Sequence, residues 1–186
     1  MSSNQIEQLI GAYNLKDFGV RGDGNGDDAA KINDALVQIA AKSVANGLVF
    51  VPPGTYIVYG SIVIPSNITL MGFGSASVLK LGINQNVDII QLNNVQNIRL
   101  KDLRIDGNRA NNTSGNGNGV YLFNCQDLWL DNVEVTSCVA DGFAIDQVTR
   151  LKSKNCQAFD NGRHGVSLNM TKFSRFSDLE SFNNGM

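Results

Sequence analysis

The sequence predicts an all-β fold: a right-handed, single-stranded parallel β-helix, closed at its N-terminal end by one capping α-helix. Three observations point there. Short stretches of alternating apolar and polar residues recur at fixed steps, Asn/Asp-Gly turns punctuate them, and a single amphipathic helix precedes the first repeat. A chain of 186 residues with 42% hydrophobic content suits one domain with a real core. The expected division is a leader over residues 1–14, a cap over 15–60 and β-helix coils over 61–186.

The opening stretch MSSNQIEQLIGAYN has neither a basic start nor an apolar core, so it does not read as a secretory signal peptide, and export by another route stays open. Residues 27–45 read as the helix. Asp27 or Asp28 can cap it, and Ile32, Ala35, Leu36, Ile39 and Ala40 fall on one face. Asn46-Gly47 is expected to end it through a positive φ. LVFVPPGTYIV then reads as strand, Pro-Pro-Gly turn, strand.

From about residue 62 the chain repeats. Asn67-Ile-Thr-Leu, Asn97-Ile-Arg-Leu and Asp127-Leu-Trp-Leu follow at steps of 30 residues, and Arg150-Leu-Lys-Ser and the stretch from Lys172 follow at about 23. Leu103, Val133, Cys156 and Leu179 form one inward column, and Ile98, Leu128, Leu151 and Ser174 a second. A unit of this length cannot bury its own apolar face, whereas stacked units can, and stacked strands of one winding sense are parallel. The seven residues by which a 30-residue coil exceeds a 23-residue one fall within residues 106–119, which are expected to protrude as a loop.

The step also places candidate functional residues. Asn118, Asp141 and His164 are 23 apart and each precedes a glycine, so they should stack in one ladder with rungs about 4.8 Å apart. Alternation in the strands that follow sends Val120, Phe143 and Val166 inward, and Tyr121, Phe123 and Asp146 outward beside that ladder. A carboxylate next to the chain's only histidine is an acid–base arrangement, and exposed aromatic rings suit sugar faces. The ladder and its flank make Asp141 and His164 candidates for chemistry and Asn118, Tyr121 and Phe123 candidates for substrate binding, with Asp146 on the same outer face. No set of metal ligands is assigned.

Composition excludes other classes. Charged residues are 17% of the chain and the net charge is −2, which argues against sequence-independent nucleic-acid binding. No apolar run is long enough to span a membrane. Cys125, Cys138 and Cys156 lack metal-binding spacing and read as reduced thiols, Cys156 as a small core residue.

Two resemblances add to this reading. LKDFGVRGDGNGDDAAKINDAL and GLVFVPPGTYIVYGSIVIPSNITLMGFG, within residues 15–75, resemble the N-terminal segment of the pectate-lyase-like β-helix superfamily. DLRIDGNRANNTSGNGNGV, VEVTSCVADGFAID and FDNGRHGVSL, within residues 102–168, resemble the catalytic module of mannuronan C5-epimerases. The resemblance implies an enzyme that neutralises a uronate carboxylate, removes the C5 proton and returns one to the other face. Lyases share the first half and then expel the 4-linked sugar. It also implies calcium as a cofactor and a polysaccharide substrate. The sequence departs from the family motif Tyr-Gly-Phe-Asp-Pro-His: Asp141 stands for the tyrosine, Ala144 for the aspartate and Asp146 for the histidine, and the family lysine falls near Asn116. Asp141, Asp146 and His164 are then a substitute set, with Arg163, Lys154 or Ca²⁺ as the neutralising charge.

The leading expectation is a polyuronate C5-epimerase or lyase module. The alternative is a glycan-binding or depolymerising tailspike or surface β-helix without C5 chemistry, which as a tailspike implies a homotrimer. Both readings imply an extracellular or virion-associated protein. One further step of 23 residues beyond His164 falls just past Met186, so the chain is expected to be truncated at its C-terminal end.

Overall fold

The computed structural model describes residues 12–42 and 46–185. The strands are β1 (Ala12–Asn14), β2 (Gly47–Phe50), β3 (Gly54–Val58), β4 (Ile62–Val63), β5 (Ile68–Leu81), β6 (Ile90–Asn93), β7 (Gln96–Asp106), β8 (Val120–Phe123), β9 (Gln126–Thr136), β10 (Phe143–Asp146), β11 (Thr149–Lys154), β12 (Gln157–Phe159), β13 (Val166–Asn169), β14 (Arg175–Ser177) and β15 (Glu180–Phe182). The α-helix α1 (Ala29–Lys42) lies between β1 and β2.

Every pairing between these strands is parallel. One sheet has five strands in the order β4-β6-β8-β10-β13, and the other has ten along the spine β1-β2-β5-β7-β9-β11-β14. The larger sheet forms two walls, because β9 pairs with β11 through Gln126–Asp131 and with β12 through Glu134–Thr136. The bend falls at Asn132, whose φ is 53°. Short asparagine and aspartate side chains tolerate this left-handed backbone, and the other corners of the coil use Asn97, Asp127, Asn124 and Asn155 in the same way.

The register is the one the repeat predicts. Ile98 opposes Leu128, which opposes Leu151, and Leu103 opposes Val133. These side chains are buried, as is Cys156, in one core cluster running the length of the coil. Leu168 continues the inward column of Leu122 and Ile145 yet is 52% exposed, because no described strand covers it.

Four expectations change. Ala12–Asn14 are not leader but strand β1, paired with β2. The helix is Ala29–Lys42 rather than 27–45: the Asp27 carboxylate accepts from Ala29 N (2.9 Å), Asp28 is buried and accepts from Arg21 N and Gly22 N, and residues 43–45 lie outside the described residues. Gly47 is not a positive-φ helix stop but the first residue of β2, opposite Ile68. Residues 106–119 do not protrude alone. They stack on the preceding coil, where Gln85 N donates to Asn112 Oδ1 (2.7 Å) and Asn116 N to Asn86 Oδ1 (2.8 Å), and Asn112 is buried. The preceding connection, residues 82–89, is shorter, and the following one, residues 137–142, is shorter still, so the loop forms a ledge.

The N-terminal end is closed by α1. Ile32, Ala35, Leu36 and Ile39 are fully buried against the first coil. Asn33 meets the edge of β4, accepting from Val63 N and donating to the Ser61 carbonyl (both 2.9 Å). A helix side chain thus satisfies backbone groups that would otherwise be an open sheet edge.

Two tests follow from this packing. Asn161 is fully buried and its Oδ1 accepts from Cys138 N at 3.0 Å. Asn161→Ala leaves that donor unpaired and is expected to cost about 1–3 kcal/mol in denaturant unfolding. The buried Tyr56 hydroxyl donates to the Pro52 carbonyl, and burial, aided by the Asp28 charge, pushes its pKa up to about 12. The unfolded chain releases this proton first, so stability is intact below pH about 10 and falls between there and about 12, by up to about 3 kcal/mol. Alkaline unfolding of Tyr56→Phe should lack this component.

Candidate active site

The site begins as a folding device. Residues just before β6, β8, β10 and β13 turn out of one wall and into the next, where backbone N–H groups leave the sheet. Side chains of the coil below receive them. Asn118 N donates to Asp88 Oδ1 (2.9 Å), Asp141 N to Asn118 Oδ1 (3.0 Å) and His164 N to Asp141 Oδ1 (3.0 Å). The predicted ladder is therefore present, with Asp88 as a further rung. The glycine after Asn118, Asp141 and His164 permits the close stack: a Cβ on Gly142 would lie 2.7 Å from the Gly165 carbonyl oxygen.

Asp141 is the centre of the cluster. It is 6% exposed, and its Oδ1 also lies 3.1 Å from His164 Nδ1 and 3.5 Å from Arg163 Nε. An oxygen that accepts from the His164 backbone accepts from the ring as well, which assigns the proton to Nδ1. The Nε2 lone pair is then the free one, on a side chain that is half exposed. Arg163 Nε is itself buried and has no hydrogen-bond partner, so its orientation rests on the attraction to Asp141. Arg109, from the ledge, brings a second guanidinium: its Nη1 lies 3.4 Å from where a Cβ on Gly162 would stand.

The five-stranded wall continues from this corner. Tyr121 opposes Ala144 and Phe123 opposes Asp146. The two rings are near-parallel, 14° apart with centroids at 6.4 Å. The Tyr121 phenol is pushed up by burial, then by the Asp146 and Asp88 charges, so it holds its proton through neutral pH. Asp146 Oδ1 accepts from Asn169 Nδ2 (2.9 Å). It stands three positions past Phe143, about 10 Å along the strand.

The structure thus brings Asn118, Asp141, Arg163 and His164 together and lays Tyr121, Phe123 and Asp146 along the adjoining face. Lys154 is not with them. It ends β11 on a different wall, opposite Asp131 and Ser177, because the corner at Asn155 separates it from the turn carrying Asp141. Asp88 and Arg109 were missed. Asp88 lies 30 residues before Asn118, the same step that aligns Asn67 with Asn97, so its signal was present in the sequence. Arg109 lies in the long loop, where no periodicity marks it.

Two grooves of about 550 and 420 Å³ are lined by other residues, and at this corner the His164 side chain is half exposed. Among the described residues no group of three or more His, Cys, Asp or Glu converges as a metal site. At this corner Asp141 Oδ1 faces N–H donors and a guanidinium, a setting that does not fit the calcium implied by the resemblance. The three cysteines are buried free thiols, and burial raises the pKa of each, so they are inert.

Residues 12–84 match the family model described as Rhamnogalacturonase A/epimerase, pectate lyase-like. The fold superposes on the A-module of mannuronan C-5 epimerase AlgE4 from Azotobacter vinelandii with a TM-score of 0.83, at 28% identity, over 92% of this chain and 51% of that one. The chain belongs to the pectate-lyase-like β-helix superfamily. Within that superfamily it is 34% identical to mannuronan C5-epimerase AlgE5 of A. vinelandii across 92% of its length, spanning 19% of that relative. It is also similar to ORF18 of Geobacillus virus E2, with a TM-score of 0.77 at 26% identity over 97% of this chain and 41% of that one. The pectate-lyase-like coil explains why the site is an outward corner, since the interior is filled with side chains.

The ladder separates structure from chemistry. Asp141→Ala removes the buried acceptor of the His164 N–H and is expected to cost about 1–3 kcal/mol of stability. His164→Ala removes a half-exposed ring and should change stability by under about 0.5 kcal/mol. Chemical denaturation of both variants checks the contrast.

Proposed function

We propose that the chain carries the site of a polyuronate C5-epimerase or lyase, acting on an alginate- or pectin-type polymer. The observation behind this reading is the Asp141–His164 pair with Arg163 beside it, at the corner of an open face that carries two aromatic rings. Similarity to the mannuronan C5-epimerases supports the substrate class.

His164 Nε2 is the base that takes the C5 proton. Asp141 holds the ring through Nδ1 and stabilises the imidazolium that forms. The electron pair released from C–H moves into the uronate carboxyl group. Arg163 binds that carboxylate and offsets the added charge. A proton taken from solvent on the opposite face of C5 completes epimerisation, whereas departure of the 4-linked sugar oxygen, which takes up a proton from solvent as it leaves, gives the unsaturated lyase product. Tyr121, which keeps its proton, offers a donor to sugar oxygens, and Phe123 offers an apolar surface. Asp146 binds hydroxyls further along the face instead of joining His164, and Asn118 holds the corner in register. The protein works on glycans outside the cell or on a virion. The alternative, a glycan-binding β-helix without C5 chemistry, is favoured by one departure: Asp141, Ala144 and Asp146 occupy the places of the epimerase Tyr, Asp and His.

Proton NMR of polymannuronate, alginate and polygalacturonate in D₂O, with and without Ca²⁺, decides between them. The expected result is loss of the C5 proton signal on one polymer, with His164→Ala and Asp141→Asn slowing it by roughly 10²–10⁴-fold. Unchanged exchange in both variants, or no exchange on any polymer, would overturn the enzymatic reading.

A further inference from the structure

A second feature lies on another wall of the coil. Arg99, Trp129, Lys152 and Arg175 stand in one outward row across β7, β9, β11 and β14, each opposite the next. The Arg99 guanidinium lies 4.2 Å from the Trp129 ring centroid, and Lys152 Nζ lies 5.4 Å from it. Other cations of this wall are engaged by carboxylates: Arg150 grips Asp127 with two hydrogen bonds (2.6 and 2.7 Å), and Lys101 meets Asp131 at 3.0 Å. Among the described residues, Arg99, Lys152 and Arg175 have neither a hydrogen bond nor a carboxylate partner, and all three are exposed. Arg99, Trp129 and Lys152 line a groove of about 550 Å³ together with Asn97, Phe173 and the Arg150–Asp127 pair, and Arg175 continues the row on the next strand.

Adjacent like charges on neighbouring rungs repel, so Lys152 beside Arg175 is a cost that folding does not return. The chain as a whole is negative, at −2, which makes the concentration of unpaired cations here local. The contact with the tryptophan ring holds the Arg99 guanidinium while its N–H groups stay unengaged. A planar fork held in place is ready for bidentate contact with a carboxylate, at little further entropic cost. The row repeats with the rung spacing of about 4.8 Å, which suits a line of negative charges along a polymer better than one small anion.

We propose that this row is a second, non-catalytic binding site for an anionic polysaccharide, whose carboxylates bind Arg99, Lys152 and Arg175. The choice of a uronate polymer rests on the function proposed above. The five-stranded wall lies between this row and the Asp141 corner, so the row anchors polymer without contacting the reacting sugar and raises its local concentration there.

Trp129 is the only tryptophan of the chain, so its fluorescence reports this site alone. The 186-residue protein is titrated with oligomannuronate, with a neutral mannose oligomer and with single-stranded DNA. A saturable change with oligomannuronate is expected, weakening as NaCl rises and absent with the neutral oligomer. The double variant Arg99→Gln/Lys152→Gln, with a wild-type circular dichroism spectrum, should bind roughly tenfold or more weakly. Asp141→Asn/His164→Ala should respond as wild type. No response to oligomannuronate, unchanged affinity in the double variant, or a tighter response to single-stranded DNA would each overturn the proposal. A fluorescence response without C5 exchange leaves this site standing and removes the catalytic reading. Exchange without a response does the reverse.

Discussion

At the corner that leads into the five-stranded wall, backbone N–H groups leave the sheet and must find acceptors one coil away. The acceptors are side chains, and they recur at the coil step: Asp88 for Asn118, Asn118 for Asp141, Asp141 for His164, Asn161 for Cys138 and Asn184 for Asn161. Parallel strands of three to six residues have little register information of their own. A side chain that reaches only one position on the neighbouring coil supplies it. Coil length, corner residue and register are thus one constraint, and the packed column of leucine, isoleucine and valine depends on it.

This constraint also made much of the fold readable. The columns of Leu103 and Ile98, the parallel pairing and the ladder of Asn118, Asp141 and His164 all follow from counting residues. Counting fails where length changes. The loop of residues 106–119 looked unsupported because it carries no apolar pattern of its own; its stack on residues 82–89 is held by asparagine side chains. Arg109 was hidden for the same reason. Lys154 was misplaced because spacing gives a residue's height along the coil but not which wall it occupies, and that depends on the left-handed corner at Asn155. The helix starts at Ala29 because Asp27 receives the Ala29 N–H from outside it, while the Asp28 side chain is engaged by the Arg21 and Gly22 N–H groups.

The candidate site shows what such a scaffold permits. Asp141 serves the backbone of the next coil and the imidazole with the same oxygen atom. A corner position must accept an N–H, which Asn and Asp do equally well. The charge and acid–base character of the corner can therefore change with little disturbance of the coil. That is consistent with a family whose members share a backbone while the residues at this corner differ.

The ledge formed by the long loop over residues 106–119 has a separate consequence. Residues 82–89 and 106–119 stack and then stop, and the following coil is seven residues shorter. The outline of the molecule therefore drops at the height of Asp141. A surface that is stepped along its axis treats its two directions differently. A linear polymer aligned with that axis is itself directional, so its two orientations meet different obstacles at the step. Polarity of this kind is built by loop length alone, before any side chain has touched a sugar.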